Sequence, residues 1–302
     1  MNAAAYLQAR RAEVETALAS VLPVPPDCPT IVADAMRYSL TAGGKRLRPI
    51  LCLASAEAVG GDRAMALPAA CALELIHTYS LIHDDLPSMD NDTLRRGQPT
   101  LHVVAGEGMA ILTGDGLLTE AFALMAREPV TSDPVVAARK LRVVGVVATA
   151  AGPVGMVGGQ ALDLASSSQN GSQSGLDASA LRVMHAKKTG ALIRASAVAG
   201  AIMGGAGDAG VHDIDEAASE FGLAFQIVDD ILDVEGASAQ LGKTAGKDAA
   251  AGKPTYPALY GLEKARTMAR ECLGRAEAAL ARAHLADTHL MDIGRWIVER
   301  SN

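Results

Sequence analysis

Apolar residues recur at three- and four-residue intervals along nearly the whole chain, the spacing that lines up side chains on one face of a helix. The pattern predicts helices from Ala3 to Val21, Ile31 to Leu40, Pro49 to Val59, Met65 to Asp85, Gly108 to Ala126, Val135 to Ala150, Leu181 to Met203 and Asp213 to Val234. Two more begin at Pro257 and Asp287. No alternating run reads as a strand, so the expected fold class is all-α. Prolines 23, 25, 26 and 29 mark a loop between the first two helices, and the polar Ser166 to Gly175 is too weak to fold alone. Gly236 to Lys253 carries four glycines and three lysines without a sustained apolar face, which reads as a mobile loop able to close over an anionic ligand. Neither a repeat nor a domain boundary stands out, and residues 1–302 read as a single domain.

Composition reinforces this picture. The chain is 49% hydrophobic but only 3% aromatic, and alanine and glycine abound, which suits helices packed closely through small side chains. A net charge of −7 leaves no basic face broad enough for a nucleic-acid partner. Cys28, Cys52, Cys71 and Cys272 are scattered and read as reduced core residues of a cytoplasmic protein. The charges and prolines between Met1 and Thr30 do not fit a secretory signal. Val143 to Leu162 lacks charge for twenty residues, yet Pro153 and several glycines interrupt it, so it reads as two buried helices rather than a membrane span.

The chemistry concentrates in two acidic groups: Asp84, Asp85, Asp90 and Asp92, then Asp229, Asp230 and Asp233. Carboxylates about 4 Å apart repel by about 4 kcal/mol at an effective dielectric of 20, so such groups hold protons or collect hard cations such as magnesium. Asp229 and Asp233, four apart, share a helix face, although a solvated helix end fits that triplet equally well. Asp84 and Asp90 do not share one; Pro87 breaks the helix after Asp85 and returns Asp90 toward Asp84. His77 lies two turns before Asp84, where core and ligand-binding readings are both open. Glycine-associated cations at Lys45, Arg46, Arg48, Arg95, Arg96, Lys187, Lys188, Lys243 and Lys247 point to a polyphosphate ligand, though Lys45 and Arg48 taken alone read as solvated helix-start charges.

The strings GGKRLRP (Gly43 to Pro49), HTYSLIHDDLPSMDNDTLRRGQPTLH (His77 to His102), GMVGGQALDL (Gly155 to Leu164), KTGALI (Lys188 to Ile193), FQIVDDILD (Phe225 to Asp233) and LGKTAGKD (Leu241 to Asp248) resemble, in order and spacing, the trans-isoprenyl diphosphate synthases. The four-residue gap between Asp85 and Asp90 is similar to the short-chain bacterial and plant branch. The resemblance implies the isoprenoid synthase fold, a bundle of roughly ten or more helices around a central cavity, usually as a homodimer without a membrane span. It implies two to three magnesium ions held by Asp84, Asp90 and Asp229, with Asp85, Asp230 and Asp233 as ligands or supports. Arg95, Lys188, Thr189, Gln226, Lys243 and Lys253 would then contact the allylic diphosphate, and Lys45, Arg48, His77 and Arg96 the diphosphate of isopentenyl diphosphate.

Tyr79 lies about 7.5 Å before Asp84 along a helix, and Ser80 is one turn back on the face of Asp84. A bulky residue followed by a small one resembles the farnesyl synthases of this branch, with Tyr79 as the floor beneath a fifteen-carbon product; a tyrosine that merely fills the core is the plainer reading. A geranylgeranyl synthase and a non-catalytic partner subunit are the alternatives, the second weakened by the intact aspartates. A terpene cyclase is expected to lack GGKRLRP.

Overall fold

Helices form where the apolar periodicity places them, and the differences occur at their ends and interruptions. The computed structural model describes residues 2–167, 177–239 and 255–300. Contacts group the chain into two units, Met1–Val147 with Val198–Ala206, and Ala148–Ala197 with Gly207–Asn302.

The first unit holds α1 (Ala3–Val21), α2 (Thr30–Leu40), α3 (Leu47–Ala58), α4 (Arg63–Asp84), α5 (Leu101–Ala105), α6 (Glu107–Arg127) and most of α7 (Pro134–Ala151). A two-residue ladder, β1 (Leu94–Arg95) with β2 (Gln98–Pro99), is an element the apolar pattern does not announce. Asp62 caps α4 by accepting the amide N–H of Ala64 at 2.9 Å. This helix is the centre of the unit: Leu73, Leu75 and Ile76 are fully buried, and it packs on α3 and α6. Each such side chain contributes roughly 1.5–3 kcal/mol by leaving water. The C-terminal part of α10 (Ala191–Gly204) approaches α3 so closely that a Cβ on Gly200 would lie 1.9 Å from the carbonyl oxygen of Cys52. Small side chains here set the distance between helices.

The uncharged stretch does form two helices, α7 and α8 (Met156–Ser167), but they are not the buried pair expected. Only Val143, Val147 and Ala151 of α7 are buried, while Leu141 is 74% exposed. Among the described residues, three stretches are long and apolar enough to cross a membrane by length and composition: Arg63–Asp84, Glu107–Arg127 and Pro134–Ser166. The apolar window of the first is 67% buried within the protein and that of the last 28%. The lack of charge in the last therefore has no counterpart in core packing.

The second unit holds α8, α9 (Ala178–His185), a π-helical turn (Ala186–Gly190), the start of α10, α11 (Asp208–Ala239), α12 (Tyr256–Tyr260), α13 (Leu262–Arg282) and α14 (His289–Glu299). Its core is the seam of α11 with α13, where Ile214, Ala217, Phe221 and Ala224 share burial with Ala265, Ala269, Cys272 and Ala276. The single helix expected over Leu181 to Met203 is interrupted by the π turn, and the one starting at Pro257 is divided by Gly261 at φ 80°. Gly236 to Ala239, expected in a loop, form the end of α11, while the rest of that segment lies outside the described residues. All four cysteines are buried and unpaired.

His185 ends α9 against Tyr256, with ring centroids 5.7 Å apart, and its Nδ1 is buried without a hydrogen-bond partner. Burial, aided by Lys188 and opposed by Asp163, pushes its pKa down to about 4. Between about pH 6.5 and pH 4 the unfolded chain therefore takes up a proton that the folded chain refuses, and stability falls as pH falls. The expected contribution is a loss of about 2 kcal/mol between pH 7 and pH 5. Urea unfolding at those two pH values should show a correspondingly smaller loss in His185→Leu; equal losses in the two proteins would exclude this role.

Candidate active site

The end of α4 builds the first acidic group. With Pro87 unable to continue the helix, the chain folds back: the amide N–H of Asp90 donates to the carbonyl of Asp84 at 2.9 Å, and that of Asp92 to the carbonyl of Asp85 at 3.2 Å. The return expected from the proline is thus present. Asn91 sits at φ 51° within it. Asp85 is buried, and its carboxylate accepts Nε of Arg95 at 2.8 Å and lies 2.6 Å from Nη2. Arg95 reaches it because β1 and β2 turn about Arg96 and Gly97, both at positive φ, as a two-residue hairpin requires.

The same turn directs Arg96 across the glycine loop, where its guanidinium donates to the carbonyl of Gly43. A Cβ on Gly44 would lie 2.7 Å from that guanidinium, so the second glycine of GGKRLRP makes room for it. Arg46, Arg48, Arg95 and Arg96 all act electrostatically on His77. Burial first, then these cations, hold the imidazole well below its usual range, so His77 is neutral at pH 7. Arg96 is likewise lowered by burial and by repulsion from Arg46 and Arg95. A concentration of cations of this kind attracts an anion. A small cleft opens beside them, lined by Tyr38, Thr78, Asp85, Arg95 and Arg96. Lys45 is exposed next to this group, and Arg48 is half-buried in the first turn of α3.

Three of the four described non-glycine residues at positive φ, Arg46, Asn91 and Arg96, lie in these loops. Backbone held in a sparsely populated region costs about 1–3 kcal/mol per residue and persists only where surrounding contacts impose it.

Tyr79 is buried, edge-on to His83 at 5.7 Å between ring centroids, and its hydroxyl pKa is raised by burial and by Asp84. Ser80 donates to the carbonyl of His77 at 2.9 Å.

The second unit gathers Lys188, Thr189, Gln226, Asp229, Asp230 and Asp233. The π turn carries Lys188 and Thr189, and α8 crosses it so tightly that a Cβ on Gly159 would lie 2.1 Å from the Lys188 nitrogen. Such wide turns are frequent at functional sites. Lys188 Nζ meets Asp163 Oδ2 at 2.5 Å, a partner to which the motif reading assigned no role. Thr189 donates to Gln226 Oε1 at 3.2 Å, and Gln226 Nε2 donates to Asp230 Oδ1 at 2.9 Å. Asp230 Oδ2 accepts the backbone N–H of Tyr256 at 2.9 Å, so this buried carboxylate braces α11 against α12.

Asp229 and Asp233 share a face of α11 as their spacing predicts. Arg300 donates to Asp229 Oδ1 at 2.6 Å while stacking 4.0 Å over Phe225. Nothing in the motif spacing announces this partner, since it lies 71 residues away. Lys243 and Lys253, with the string from Leu241 to Asp248, lie outside the described residues.

Asp84, Asp85 and Asp90 supply hard oxygen donors suited to magnesium. Among the described residues, however, no three His, Cys, Asp or Glu side chains converge closely enough to hold a metal unaided.

Comparison with known proteins agrees with the ordered motifs. A solved apo structure of an FPP/GFPP synthase from Zymomonas mobilis superposes with a TM-score of 0.84 at 38% identity, covering 98% of each chain. The farnesyl diphosphate synthase of Geobacillus stearothermophilus is 49% identical over 261 residues, 86% of this chain and 85% of its own length. The chloroplastic heterodimeric geranylgeranyl pyrophosphate synthase large subunit 1 of Arabidopsis thaliana is 50% identical over 266 residues, 88% of this chain and 70% of its own length. The sequence pattern described as polyprenyl synthetase matches residues 29–286, and with the all-α architecture and both aspartate groups in place, the chain belongs to the polyprenyl synthetase family.

Proposed function

We propose that this protein is a short-chain trans-prenyltransferase that joins dimethylallyl and then geranyl diphosphate, head to tail, to isopentenyl diphosphate and stops at the fifteen-carbon farnesyl diphosphate. The observation that carries the reading is the group of arginines acting on His77, with Arg95 and Arg96 lining a cleft beside the aspartate-bearing end of α4. Such a site favours a highly charged anion, and a diphosphate matches its fork-shaped donors.

The reaction needs no nucleophilic side chain. The allylic carbon–oxygen bond breaks and its electron pair leaves with the diphosphate, the double bond of isopentenyl diphosphate attacks the cation, and a proton passes to the released diphosphate. Arg95 and Lys188, each oriented by a carboxylate, contact the allylic diphosphate and offset the charge that grows on it. Lys45, Arg48, Arg96 and His77 hold isopentenyl diphosphate. Thr189 and Gln226 are assigned to the allylic diphosphate, as are Lys243 and Lys253 on their motif alone. Asp84, Asp90 and Asp229 would hold two to three magnesium ions, with Asp85, Asp230 and Asp233 as ligands or supports. When bound, the metal neutralises the leaving diphosphate.

Asp84→Asn and Asp229→Asn, assayed separately with geranyl and isopentenyl diphosphates, should each lower kcat by roughly 10²–10³ or more, the scale for losing one preorganised electrostatic stabiliser. Near-normal turnover in either variant would sink the metal assignment.

Tyr79 supports the fifteen-carbon limit, because its ring is buried and braced by His83 one turn from the aspartates. The relatives bear both farnesyl and geranylgeranyl names, which keeps the twenty-carbon product as the second reading. Chromatography of products made from dimethylallyl and isopentenyl diphosphates should give farnesyl diphosphate for the wild type and longer chains for Tyr79→Ala. Unchanged products in the variant would remove Tyr79 as the floor.

We also infer a homodimer, with one 302-residue catalytic domain per protomer and a cytoplasmic location in keeping with four unpaired cysteines. Val103 and Val104 on α5 and Ile111 and Leu112 on α6 are exposed on consecutive helices, an apolar surface of the kind that marks an interface. A second copy covers it better than lipid does, since Glu107 and Asp115 lie on the same short stretch of α6. Sedimentation in detergent-free buffer should give twice the 31.0 kDa chain mass. A monomer, or flotation with phosphatidylcholine vesicles, would contradict this.

A further inference from the structure

Arg46 stands in the middle of the basic motif but faces inward. Only 2% of its surface is exposed, and every nitrogen of its guanidinium has a partner. Nε donates to Glu15 Oε1 at 2.8 Å, Nη1 to Glu74 Oε1 at 2.6 Å, and Nη2 to Glu15 Oε2 at 3.2 Å and to the carbonyl of Leu40 at 2.7 Å. One side chain thus ties the loop before α3 to α1, to α4 and to the end of α2. Its backbone sits at φ 50°, a left-handed conformation that a residue with a Cβ adopts only when surrounding contacts impose it.

A buried ion pair is a poor device for bulk stability, because well-packed apolar side chains of similar volume often serve as well or better. It is a good device for register, because a planar fork with fixed acceptors accepts few geometries. The two residues it controls most directly are its neighbours Lys45 and Arg48, one just before it and one in the first turn of α3. Glu74 lies one turn before His77 on α4, so the clamp also registers the loop against the helix that carries His77. With four of its five N–H donors engaged by two carboxylates and a carbonyl, and its side chain buried, Arg46 presents no free fork to a substrate.

We propose that the Arg46–Glu15–Glu74 clamp is a positioning device that sets Lys45 and Arg48 at the geometry for binding the diphosphate of isopentenyl diphosphate, Arg46 itself never touching substrate. The assignment rests on the prenyltransferase reading above and adds a division of labour within the motif: Lys45 and Arg48 bind, and Arg46 places them.

Arg46→Lys keeps the charge but loses the fork, and Glu15→Gln weakens the clamp from the half-buried α1 side with little threat to folding. Since displacement of a binding group by about an ångström costs up to about 10²-fold, both variants should raise KM for isopentenyl diphosphate by roughly tenfold. KM for geranyl diphosphate and kcat should stay within about twofold, a split that loss of stability alone does not produce. Calorimetric titration with inorganic pyrophosphate, which needs no turnover, should show weaker binding to folded Glu15→Gln than to wild type. Equal rises in both KM values, a fall in kcat alone, or unchanged KM and pyrophosphate affinity in folded Glu15→Gln would overturn the proposal. A wild type that makes no prenyl diphosphate would instead overturn the functional reading, and the pyrophosphate titration would still decide the clamp.

Discussion

Charge compensation in a low-dielectric interior is the constraint on which the rest of this structure depends. Each unit draws charged side chains into or beside its interior, and each has to keep them there stably. Uncompensated, such charges are costly, because a buried ion without a partner loses several kcal/mol of hydration. The fold therefore supplies partners: Asp85 for Arg95, Asp163 for Lys188, Arg300 for Asp229, and two glutamates for Arg46. These partners also orient the groups they neutralise, so pairing that lowers the cost of burial simultaneously fixes the direction of the donors.

Close helix packing serves the same end. Gly159 lets α8 lie against the backbone of the π turn that carries Lys188, and Gly200 lets α10 touch α3. An alanine-rich, aromatic-poor sequence is suited to this, since small side chains allow backbones to approach and leave little freedom for the loops between them. The exception is the apolar surface of α5, α6 and α7, where valine and leucine remain in solvent in the single chain. Low charge in those helices is not accounted for by burial in the core.

Much of this was legible from local sequence. The helices follow the apolar period, Pro87 forces the return of Asp90, and the four-residue spacing of Asp229 and Asp233 puts them on one face; all of these depend on residues a few positions apart. The end of α4 at Asp84 and the division at Gly261 are also local, yet only the first was foreseen, because the second depends on a glycine in a segment that otherwise reads as continuous helix. The wide turn at Ala186–Gly190 escaped for a different reason. Its sequence is compatible with an α-helix, and it occurs where α8 and α11 press on it through Gly159 and Gly222.

The sequence by itself determined the all-helical class, the family and the positions of the aspartates and most candidate ligand cations, because periodicity and motif spacing are properties of neighbouring residues. Only the tertiary structure decided which charges are buried braces and which stay exposed. Arg46 and Lys45 are adjacent and both basic, yet one is buried among carboxylates and the other is exposed. The difference lies in partners 28 and 31 residues away, and Arg300 reaches Asp229 across 71. Composition cannot encode such pairings, because they exist only once helix packing has brought distant segments together and removed the water that competes for the same hydrogen bonds.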